Sequence, residues 1–165
     1  MIICHSISDD PQYAGNSNFN TTEEIKNSTG PISFDGVYIS IWGYLTYVKD
    51  RGGILFPIGD HIDGNNTFDV GQPLQEFCSL GQLNYIRGLG FEMGWHTWSH
   101  PNLTKCTDDE IRMELSNPFG YKHFAYPYGK HDERVRRLVE EAGYENAWVL
   151  GNGDDSQFQR RRWHI

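Results

Sequence analysis

Short apolar runs alternate with stretches of helical periodicity along almost the whole chain, and few architectures accept that alternation. A strand buried on both faces reads as a continuous apolar run, and the helix that follows it must cover the sheet before the next strand begins. The pattern predicts strands near residues 2–4, 32–35, 54–58, 91–94, 124–126 and 147–150. Between them, Thr21 with Glu24 and Thr107 with Glu110 have capping-box spacing, in which a hydroxyl and a carboxylate each satisfy the other's main-chain N–H. Ser40 offers a cap for a helix that places Ile41, Leu45 and Val48 on one face before Gly52 and Gly53 stop it. Two further helices are expected over 80–89, closed by Gly90, and over 132–142, stopped at Gly143. Repeated βα units of this kind feed a mainly parallel sheet or barrel, and 165 residues are enough for one compact domain, taken here as 1–165.

Composition narrows the partners. A formal net charge of −8 works against nucleic acid, because duplex affinity comes from Lys and Arg that displace counterions. The one basic run, Arg160 to Arg162, is read as a solvated tail. No stretch approaches the about 20 apolar residues that cross a bilayer, so no membrane partner is expected. The opening Met1-Ile2-Ile3-Cys4-His5 lacks the basic start and long apolar core of a signal peptide, which leaves a soluble chain of unassigned compartment. Cys4, Cys78 and Cys106 are an odd number without close pairing and suggest no disulfide framework.

In parallel α/β folds, ligands gather at the C-terminal ends of the strands, and Asp35, His96 and the segment Tyr126-Pro127-Tyr128 all fall at such ends. His96 and His100 are four apart, a spacing that on a helical turn brings two imidazoles to one side, where they can grip one cation. Seven histidines in 165 positions would give such a pair by chance about 0.3 times, so the spacing alone is a weak signal.

Its surroundings strengthen it. The stretch Gly90-Phe91-Glu92-Met93-Gly94-Trp95-His96-Thr97-Trp98-Ser99-His100-Pro101 resembles the metal-binding segment of the polysaccharide deacetylases, the NodB-like carbohydrate esterase family 4. Phe124-Ala125-Tyr126-Pro127-Tyr128-Gly129 is similar to that family's Phe-Arg-x-Pro-Tyr-Gly groove wall, with Ala125 at the arginine. Ile3-Cys4-His5-Ser6 resembles its opening strand and Ala142-Gly143-Tyr144 its late Ala-Gly-Tyr, so the likeness covers nearly the whole chain. The resemblance implies a distorted (β/α) barrel and a hydrolase that removes N-acetyl groups from sugar polymers or oligomers. It also implies a divalent metal, zinc before others, on His96 and His100, and an oxyanion donor in the Tyr128 main-chain N–H. Tyr126, Pro127 and Trp98 are expected against the sugar, where Trp95 and Trp98 could stack or instead pack as core rings.

One motif departs from the family. Where the family has Thr-Phe-Asp-Asp-Gly, with a general base followed by a metal ligand, this chain has Ser33-Phe34-Asp35-Gly36. Aligned without gaps, Asp35 is the catalytic base and Gly36 stands at the metal carboxylate; a slipped alignment would make Asp35 the ligand. A catalytically impaired carbohydrate-binding relative is therefore the alternative to an active enzyme. The family's Leu-x-His acid has a poor counterpart in Arg162-Trp163-His164, and a missing final strand is considered.

Overall fold

The computed structural model describes residues 2–6, 31–67, 74–150 and 153–164, with 2–6, 163 and 164 described through their backbone pairing. The expected capping box at Thr21 and the Asn-rich segment around it lie outside these residues.

Seven parallel strands close a barrel in sequence order: β1 (Ile2–Ser6), β2 (Ile32–Gly36), β3 (Gly53–Pro57), β4 (Glu92–Trp95), β5 (His123–Ala125), β6 (Asn146–Leu150) and β7 (Arg160–His164). Closure depends on β7, which pairs with β6 at Trp148↔Arg160 and with β1 at Ile3↔Trp163. A final strand is thus present, and it contains the arginine run expected as a solvated tail. The correction has a simple cause: a strand points successive residues to opposite faces, so a basic run can bury one arginine while its neighbours stay wet.

Four helices are described: α1 (Leu45–Val48), α2 (Leu80–Gly88), α3 (Asp108–Glu114) and α4 (Glu133–Glu141). Both Ser79 with Gln82 and Thr107 with Glu110 form full capping boxes, and Asp132 caps α4 by accepting from the Val135 N–H at 2.8 Å. Val135, Leu138 and Val139 line the buried stripe of α4, as apolar spacing of three and four requires. The helix expected from Ser40 is different: a 3₁₀ turn over Ile39–Gly43 precedes a single α turn, and no side chain caps it. Among the described residues no helix is long and apolar enough to cross a membrane.

Apolar residues fill two shells. Outward-facing Phe34, Leu55 and Met93 pack with Val48, Leu83 and Ile86, and Trp95, Phe124 and Val149 pack with Ile111 and Leu138. The barrel interior is narrower and holds Ile54, Phe56, Ala125 and Trp148. Gly94 is required there, since a Cβ on it would lie 2.3 Å from Phe56 Cε1.

Candidate active site

The mouth of the barrel is built from the ends of β2, β3, β4 and β5. β4 runs straight into the histidine loop, which is stitched to the end of β3: His96 N–H donates to the Pro57 carbonyl at 3.1 Å, Gly59 N–H to Thr97 at 2.9 Å and Asp60 N–H to Trp98 at 3.0 Å. The loop is not a helical turn. Thr97 and His100 both take left-handed backbone conformations, φ 71° and 61°, which cost side-chain-bearing residues about 1–2 kcal/mol each. Thr97 compensates locally, because its hydroxyl oxygen accepts the His100 N–H at 3.0 Å.

That contorted path brings the imidazoles together inside the protein. His96 is fully buried and His100 nearly so, and their Nε2 atoms stand 3.1 Å apart. A carbonyl can only accept, so the 2.8 Å contact between His96 Nδ1 and the Ala125 oxygen fixes the ring proton on Nδ1. His96 Nε2 therefore offers a lone pair toward His100, the tautomer a metal ligand needs. Two nitrogens each about 2.05 Å from a tetrahedral zinc would be about 3.3 Å from one another. The observed spacing fits one edge of such a polyhedron.

The carboxylate is held differently. Asp35, at the end of β2, has Oδ2 4.0 Å from His96 Nε2. Arg162 takes both of its oxygens, Nη2 to Oδ2 at 2.7 Å and Nη1 to Oδ1, and Nη1 also reaches Ser33 Oγ at 3.1 Å. Arg162 is fully buried and lies over the Phe56 ring at 4.9 Å. A two-pronged charge-assisted clamp of this kind fixes the plane of the carboxylate and keeps it turned into the barrel. Among the described residues, no three His, Cys, Asp or Glu side chains meet closely enough to hold an ion. A side chain at Gly36 would come at a cost: its φ is +75°, and a Cβ there would sit 3.2 Å from Phe77 Cε1.

On the opposite wall, the Pro127-Tyr128-Gly129 turn lays the Tyr128 ring against His100, with centroids 4.6 Å apart. Tyr128 has φ 58° and a side chain 45% exposed, so it forms part of the rim. Tyr126 does not face the rim. It is buried, stacks on His131 and donates its hydroxyl to the Phe158 carbonyl at 3.0 Å, because the strand's alternation turns it into the core. Burial raises the pKa of that phenol. Pro127 is buried as well, and Trp95 is a core ring with Trp98, half-buried, packed edge-on against it at 5.3 Å. His164 ends β7 opposite Cys4 of β1.

A family model described as polysaccharide deacetylase matches residues 49–147. Chitin deacetylase 1 of Cryptococcus neoformans is 32% identical over 142 residues, 76% of this chain and 30% of the relative. The chain belongs to the polysaccharide deacetylase family. It spans under a third of the length of the curated relatives it matches first, the second being a chitin deacetylase of Amylomyces rouxii at 27% identity over 62% of this chain and 29% of that one. Among solved structures, a polysaccharide deacetylase from Bacillus cereus superposes with a TM-score of 0.70 at 16% identity, covering 99% of this chain and 64% of that one. A family 4 carbohydrate esterase from Streptomyces lividans, in complex with acetate, gives 0.56 at 16% identity over 76% and 64% of the two chains. These likenesses show the same fold.

Within this member of the family, sequence reasoning missed Arg162. Three consecutive arginines carry no local signal of it: Arg161 pairs outward with Asp155 and Arg160 lies over Trp148, while Arg162 turns inward. Asp60 and His61, in the turn after β3, were also passed over. Their side chains meet at 3.1 Å, and burial lowers the His61 pKa while Asp60 raises it and the charge of nearby His100 lowers it further.

Proposed function

We propose that the protein hydrolyses N-acetyl groups from N-acetylated sugar polymers or oligomers of the chitin or peptidoglycan type, with a divalent cation, zinc first, held by His96 and His100. The observation that carries this reading is the pair of buried Nε2 atoms 3.1 Å apart, one with its tautomer set by the Ala125 carbonyl, beside the Asp35 carboxylate. A bound cation supplies polarisation of the amide carbonyl and acidification of a water. Asp35 accepts the proton of that water as its oxygen bonds to the carbonyl carbon. The Arg162 clamp keeps the carboxylate oriented for this and away from the cation as a ligand. The Tyr128 main chain, held in a rigid left-handed turn after Pro127, donates to the developing oxyanion. The C–N bond then breaks, the amine leaves with the proton collected at Asp35, and acetate remains. The exposed Tyr128 and half-buried Trp98 offer ring faces to the sugar.

Acetate release from N-acetylglucosamine oligomers by the zinc-loaded protein and by Asp35→Asn tests the proposal. Release that falls roughly 10²-fold or more in the variant is expected of a lost general base. Gly36 in the place of a second carboxylate, with Asp35 already engaged by Arg162, favours a second reading: a sugar-binding relative without the chemistry. Oligomer binding without acetate release would establish that instead.

A further inference from the structure

We propose that Glu114 is a positioning residue for the histidine pair, acting through Ser99. The inference rests on the reading of His96 and His100 as cation ligands. Glu114 is the last residue of α3, where the negative end of the helix dipole makes a carboxylate unfavourable. Its contacts account for its presence there. Oε2 accepts the Ser99 main-chain N–H at 2.8 Å, and Oε1 accepts the Ser99 hydroxyl at 2.6 Å. Its own carbonyl accepts the Trp95 indole N–H at 3.0 Å. One residue thus grips the chain immediately before the first histidine and again immediately before the second.

The loop needs such a grip. Thr97 and His100 are both left-handed, and backbone in that region persists only where its surroundings over-determine it. The end of β3 ties down His96, Thr97 and Trp98, and Thr97 Oγ1 receives the His100 N–H. Ser99, exposed between them, is secured by the Glu114 carboxylate. Loosening it frees the His100 backbone to relax toward ordinary conformations, which turns its imidazole off the shared edge. Neither Glu114 nor Ser99 touches the cation position; their effect is to set the geometry in advance, as outer partners of metal ligands do.

The test is zinc titration by calorimetry on the full chain, with amide hydrogen exchange at Ser99 and His100 measured on metal-free protein. Glu114→Ala is expected to weaken zinc binding about ten-fold and to speed exchange at both amides. Glu114→Gln, which retains one acceptor, should lie between it and wild type. Ser99→Ala added to Glu114→Ala should cost nothing more. Thr107→Ala, which loosens the other end of α3, is the control for simple destabilisation and should leave zinc affinity unchanged. Wild-type affinity and exchange in Glu114→Ala overturn the proposal, as does an equal loss of affinity in Thr107→Ala. Should wild type itself fail to bind zinc, the cation reading falls. Exchange at Ser99 and His100 then decides the positioning role alone: faster exchange in Glu114→Ala supports it, and unchanged exchange overturns it.

Discussion

Removal of the Arg162 guanidinium is the most informative single perturbation of this barrel. Arg162→Met keeps the length and apolar bulk of the stem that lies near Phe56 but leaves Asp35, 2% exposed, as a buried carboxylate without its cation. Breaking a buried pair from one side costs about 3–5 kcal/mol, well beyond the about 1 kcal/mol of an exposed pair. In a chain of this size each kcal/mol lowers the melting temperature by roughly 2–4 °C, so a fall of roughly 6–20 °C is expected. The penalty comes from the uncompensated charge, so Asp35→Leu combined with Arg162→Met should recover at least half of it despite removing more interactions. Urea and thermal unfolding followed by circular dichroism measure both. A single variant within about 0.5 kcal/mol of wild type, or a double variant at the sum of the two singles, would refute the idea that the barrel interior is dry and the two groups are coupled there.

Two further outcomes follow from local geometry. Thr107→Ala should cost about 1 kcal/mol through loss of the N-cap of α3, read as a shift in thermal unfolding. The Thr107 main-chain N–H, and then its hydroxyl, hold the Glu110 pKa below the usual carboxylate range, so that contribution is present above the range and disappears as pH falls through the lowered value. The gap between variant and wild type should therefore narrow in acid; a gap that widens contradicts the assignment. Gly36→Asp should tighten zinc binding while lowering thermal stability, because the new side chain gains a carboxylate near the histidines yet must sit at φ +75° and displace Phe77. Unchanged zinc affinity would show that this backbone position cannot complete the site.

Much of the fold was legible because strand and helix signals were strong and mutually consistent. The strand expected over 54–58, the Thr107 cap and the helix expected over 132–142 appear in the structure within a residue or two of where the sequence places them. Two elements were not, for physical reasons. Ser40 has the composition of an N-cap, but the chain there is already committed to a 3₁₀ turn after Tyr38, which stacks on Phe77 at 4.2 Å, so tertiary packing overrides the local preference. The last strand was hidden because three consecutive arginines look like solvent-exposed chain, and nothing local reveals that Asp35, 127 residues away in sequence, waits for one of them. In the site, the histidine spacing and the Pro-Tyr-Gly turn were readable as motifs. Tyr126, expected against the sugar, is buried instead, since the strand's alternation turns it into the core.

The central claim is that His96 and His100 share one cation at the mouth of the barrel. A crystal structure of the zinc-soaked protein tests it most directly. One ion bound by both Nε2 atoms at about 2.0–2.1 Å, with oxygen ligands completing the shell and Asp35 still clamped by Arg162, is the expected result. Imidazoles that stay 3.1 Å apart with no ion between them at saturating zinc would contradict it.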